Sequence, residues 1–154
     1  ELLDVTAHTV ASAVACAGLL ACGDGSGPGG FELAQLEGSY RATHLVYQAV
    51  ADTTRQQDQV VQGTQQVHLH VDGTIYDRVD SFPGNPIGEI VVDSGSVSLT
   101  ADTLFFNSAH GESSRYRAAL VFGTLILRDS LNIRLLCPTQ CVEPVRLKIT
   151  MVRE

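Results

Sequence analysis

Polar and apolar residues alternate along most of this chain at a period of two, the mark of strands with one buried face. The last stretch is the clearest. There Val145, Leu147, Ile149 and Met151 face one way, and Arg146, Lys148 and Thr150 the other. Val67, Leu69 and Val71 alternate in the same way with Gln66, His68 and His70, and Asp72-Gly73, a strong hairpin signal, follows at once. Tyr116, Ala118, Leu120 and Phe122 alternate with Arg115, Arg117, Ala119 and Val121. Residues 36–50 read as a long first strand and 51–59 as a polar loop. Residues 74–82 and 87–93 read as strands separated by the turn cluster Pro83-Gly84-Asn85-Pro86. Ser94-Gly95 is expected to break the next strand before Val97 and Leu99. Residues 124–128 and 131–135 complete the series.

No convincing amphipathic helix follows residue 30. Short strands at near-regular spacing with hairpin-short connections predict an all-β fold. The expected form is an antiparallel up-and-down meander closing into a small barrel of about 8–10 strands, since closure removes exposed edges.

The beginning of the chain has a different texture. Residues 10–21 (V-A-S-A-V-A-C-A-G-L-L-A) carry no charge. This apolar run has the length of a signal-peptide hydrophobic region, not of a membrane-spanning helix. Residues 23–30 then hold five glycines and one proline in eight positions, a composition that cannot bury apolar surface. The sequence therefore divides into an apolar signal helix (1–21), a flexible Gly-rich tether (22–35) and a β domain (36–154). Leu-Leu-Ala-Cys ending at Cys22 resembles the lipobox of bacterial lipoproteins. That resemblance implies lipidation of Cys22 and anchorage in the cell envelope. Gly23 at the sorting position implies the outer membrane, facing the periplasm or the cell surface.

Formal charge is −7, from 10 Lys and Arg against 17 Asp and Glu. Glu1 and Asp4 precede Cys22 and no cation does, so the remainder carries −5. That negative balance argues against nucleic acid, which wants a basic patch, and against an electrostatic hold on anionic lipid. The expected partners are the membrane, through the lipid, and either a small hydrophobic ligand or an envelope protein. Of the four cysteines, Cys137 and Cys141 enclose a three-residue turn, and an exported context points to a disulfide between them.

The meander, with Gly38-Ser39-Tyr40 entering the first strand, is similar to lipocalin-like domains of bacterial lipoproteins. Tyr40 stands where lipocalins carry Trp. The resemblance implies a barrel around a ligand, with Tyr40, Tyr47, Phe106, Tyr116 and Phe122 as candidate lining. His68-x-His70 puts two rings on one strand face about 7 Å apart, as in cupin metal sites. The Glu that cupins place shortly after is absent, and the pair lies opposite Val67, Leu69 and Val71, so these two are weak metal candidates. His110, Glu112, Ser113 and Ser114 share a loop without a nucleophile elbow, and Asp77, Asp80, Glu89 and Asp93 read as a solvated face. The reading is of a non-enzymatic domain with no cofactor. A cupin-like metal enzyme and a purely structural barrel are the alternatives.

Overall fold

The structure is a computed structural model that describes residues 30–85, 87–111, 113–135 and 142–154. The signal segment, Cys22 and most of the tether lie outside the described residues, as do Glu112, Cys137 and Cys141. A short 3-10 helix, Leu33–Leu36, precedes nine strands among the described residues. They are β1 (Gly38–Ala49), β2 (Gln56–Asp58), β3 (Gln66–Asp72), β4 (Ile75–Ser81), β5 (Ile90–Thr100), β6 (Thr103–Ser108), β7 (Ser113–Val121), β8 (Thr124–Leu135) and β9 (Val142–Arg153). Each strand from β3 to β9 pairs antiparallel with the next, and β9 pairs back onto β1. Eight strands thus close a barrel, and β2 is a short ninth strand added to β1. The architecture is compatible with a lipocalin-like fold.

One edge of β1 runs along β9. Its other edge is divided: Gly38 to Arg41 pair with β3, and Val46 to Gln48 pair with β2. Between these segments the β1–β9 register slips by one residue at Thr43, whose hydroxyl donates to the Thr150 carbonyl at 3.2 Å. The bulge resets the strand's parity. Tyr40 and Ala42 point inward before it, and Leu45, Tyr47 and Ala49 point inward after it; all five are buried. Without the extra residue, the second half of β1 would turn its apolar side chains to solvent. A second slip lies in β8 between Asp129 and Asn132.

One end of the barrel is stoppered. Leu36 in the 3-10 helix is buried, and Phe31 and Leu33 pack against the core. Phe31 and Leu33, two residues of the stretch expected to be a tether, thus have apolar partners. Arg153, at the end of β9, pins this stopper. Its Nη2 donates to the carbonyls of Gln35 (2.6 Å) and Glu37 (2.8 Å) and to the Tyr40 hydroxyl (3.0 Å). The same guanidinium lies 5.4 Å from the centre of the Tyr40 ring, a distance at which the ring attracts a cation.

Gly95 does not break a strand; β5 runs continuously through it. A Cβ added there would lie 2.0 Å from the carbonyl oxygen of Asn107 in β6. The glycine lets two neighbouring backbones approach as the sheet coils shut. Residues 56–58, within the expected loop, add β2, and residues 124–135 make one bulged strand instead of two. Phe122 does not continue the inward face of β7. It sits in the β7–β8 hairpin with φ of 48° and is fully exposed.

Gly95→Ala should cost at least roughly 1–3 kcal/mol, the range for overpacking a close contact, because the obstacle is main chain and cannot rotate away. Gly84, whose added Cβ would meet ordinary contacts at 3.7 Å or more, supplies the control. Urea unfolding should show Gly84→Ala near wild type and Gly95→Ala with a clearly lower midpoint.

Candidate functional site

Interior side chains come from every strand of the closed barrel and nearly fill it, as expected for eight strands. A partly open space of about 20 Å³ is left among Val67, Leu69, Leu127 and Ile149, bordered by Tyr76 and Arg78, enough for a single water. Away from the stopper, the walls of β4, β5, β6 and β7 surround a cup of about 410 Å³.

Three aromatic rings floor the cup. Tyr76 of β4 meets Phe106 of β6 edge-to-face, with ring centres 5.0 Å apart, and Phe106 meets Tyr116 of β7 at 5.9 Å. All three are buried. Gly95 stands directly opposite Tyr76 on the intervening strand and presents no side chain between the rings.

Charged groups sit on this floor. Tyr76, Arg78 and Asp80 share the inward face of β4 by strand alternation. Arg78 holds Asp80 through two parallel bonds, Nε to Oδ1 at 3.0 Å and Nη2 to Oδ2 at 2.8 Å. Asp93, paired with Arg78 across β4 and β5, accepts from two hydroxyls: Tyr76 at 2.6 Å on Oδ2 and Ser108 at 2.5 Å on Oδ1. Burial opposes charge on Arg78, but the Asp80 carboxylate overrides it and keeps the guanidinium protonated more firmly than usual. Burial also opposes charge on Asp93, and the Ser108 and Tyr76 hydroxyls outweigh it, so its pKa lies below the ordinary carboxylate value. Burial, and then the bond to Asp93, push the Tyr76 phenol up.

The arrangement sets the Arg78 guanidinium beside the carboxyl groups of Asp80 and Asp93. The rim adds His110, Ser113 and Ser114 on one side and the exposed Val91 and Val92 on the other.

Phe106 and Tyr116 line the cup. Tyr40 and Tyr47 are buried away from it, Tyr40 beneath Arg153. Phe122 lines nothing: the hairpin tip carries it into solvent. Asp80 and Asp93, read as solvated, instead turn inward, and Asp77 stays outside. Tyr76 and Arg78 were missed. The signal was the set Tyr76, Arg78, Asp80 at strand spacing, where apolar residues would be expected on an inward face. His68 and His70 lie on the outer face. His70 Nδ1 is 3.0 Å from Ser39 Oγ, and His68 Nδ1 is 3.9 Å from a Glu154 carboxylate oxygen. Among the described residues no group of three or more His, Cys, Asp or Glu side chains is placed to hold a metal ion.

Together these features define a closed antiparallel barrel with a filled interior and a charged, aromatic-floored cup at one end. The chain matches no family model, no curated protein and no solved structure.

Asp93→Asn should lower stability, because an amide cannot accept from both hydroxyls with charge behind the bonds. A depressed folded-state pKa contributes stability above the unfolded value, near 3.9 for Asp, and loses it as pH falls through the folded value. The stability gap between wild type and Asp93→Asn should therefore be full at pH 6 and close progressively below about pH 4. Urea unfolding across that range reads it; a gap independent of pH would contradict the assignment.

Proposed function

We propose that this protein is a non-enzymatic, exported binding module that takes a small amphiphilic molecule in the cup of its barrel. The cup itself carries this reading. Its volume falls in the range of small-molecule sites, and it sets Arg78, Asp80 and Asp93 beside the rings of Phe106 and Tyr116. An acceptor group of the ligand would meet Arg78 and the hydroxyl of Ser114, while its apolar part would rest on Phe106, Tyr116 and Val91. The filled interior leaves the ligand at the mouth and not deep within, which differs from an enclosed lipocalin-like site.

Anchorage rests on the sequence around Cys22. A lipid there, followed by the glycine tether, would hold the domain on the envelope, in the reading that fits best at the outer membrane. Gly30 leads into the stoppered end, so a tethered barrel would carry its cup on the side away from the attachment. A purely structural barrel is the second reading, favoured by the small interior space of about 20 Å³.

Two measurements test these points. A fluorescent apolar dye with an uncharged polar head should bind the protein and be displaced by amphiphiles. Val91→Glu, at an exposed rim position, should weaken the dye by about tenfold, the effect of losing a buried Val contact of roughly 1.5 kcal/mol. Absence of any dye or amphiphile binding at millimolar concentration would leave the structural reading. Expressed from its full coding sequence in bacteria, the protein should incorporate a fatty-acid probe, and Cys22→Ser should abolish labelling; an unlabelled wild type would remove the anchor.

A further inference from the structure

On the outside of the barrel, β2, β1, β9 and β8 frame a second hollow of about 420 Å³. It is separate from the cup and independent of the reading given to it. Arg128 of β8 and Lys148 of β9 are register partners on this face, and Arg146 lies two residues from Lys148 on the same side of the same strand. All three are exposed. Like charges directly opposite each other across two strands are destabilising. Here the pair is joined by a third cation, in a chain whose net charge is −7.

None of the three forms an ion pair among the described residues, whereas Arg41, Arg55, Arg78 and Arg117 each have a carboxylate within reach. Among the described residues, Asp129 is the only acid lining the hollow. The Gln48 and Gln56 side chains add amide groups, and Val46 supplies an apolar contact. Three cations against one carboxylate leave an uncompensated positive charge in a concave site. Two of the cations are guanidinium forks that match tetrahedral oxyanions in a bidentate manner.

We propose that this hollow is a binding site for a phosphate-bearing molecule. A phosphate group concentrates close to two negative charges and three acceptor oxygens on one centre, which is what the convergence of Arg128, Arg146 and Lys148 requires. An anion there would turn a repulsive cross-strand pair into a bridged one. The phosphate could belong to a soluble molecule or to a phospholipid headgroup; the chemistry recognised is the same.

The test uses the intact protein with two probes: inorganic pyrophosphate, and phosphatidylcholine vesicles with and without phosphatidylglycerol. Pyrophosphate should bind saturably by calorimetry, raise the melting temperature and weaken as salt increases; selective binding to phosphatidylglycerol vesicles would identify the lipid as the source. Replacing Arg128, Arg146 and Lys148 by Gln should reduce binding of the responding probe by at least about tenfold, while the charge-matched set Arg41→Gln, Arg115→Gln and Arg117→Gln leaves it intact. Lys148→Gln alone, which removes the like-charge pair, should keep the fold and lose part of the effect. Binding by neither probe, unchanged binding in the triple variant, or equal loss in the charge-matched set would overturn the proposal.

Discussion

The hydrogen-bonded closure of β1 on β9 is the constraint on which the rest of this molecule depends. A meander of eight strands has two free edges, and each is a row of unsatisfied backbone donors and acceptors. Pairing the first strand with the last satisfies both at once. The chain accommodates this with two local devices. The bulge at Thr43 keeps β1 in phase with the core along its whole length, and Gly95 allows β5 and β6 to approach where the sheet coils. Arg153 then ties the end of the last strand to the carbonyls just before the first.

Closure at this strand number decides where a ligand can sit. Eight strands leave an interior that ordinary side chains fill, and Tyr40, Leu45, Leu104, Leu125 and Met151 fill it here. The stopper around Leu36 takes one end. What remains is the cup, where β4 and β5 carry charge on their inward faces. The Arg78–Asp80 pair and the Asp93 cluster are tolerable in that position because each charge has well-placed partners and the cup admits solvent.

The two ends of the polarity scale are thus segregated by wall. The inside of β4 to β7 sets one guanidinium, Arg78, against the carboxylates of Asp80 and Asp93. The outside of β8 and β9 gathers Arg128, Arg146 and Lys148. The net charge of the chain hides both, since it averages the two walls together.

Period-two patterning was enough to establish the class of fold, because burial of one sheet face imposes it residue by residue: Val145, Leu147, Ile149 and Met151 are all buried. Turn chemistry at Asp72-Gly73 was equally legible, being local. Gly95 was misread as a break, since a glycine that admits a neighbouring backbone looks in sequence like one that ends a strand. Phe122 was misplaced because alternation alone does not say where a strand stops. The cup was not legible at all. Asp93 and Ser108, or Arg128 and Lys148, are brought together only by pairing between strands distant in the chain, and strand pairing is set by closure of the whole sheet. The sequence by itself determined that this is a β domain with alternating faces; the tertiary structure alone decided which charges meet inside it and which are left facing one another outside, because register couples residues that no local pattern connects.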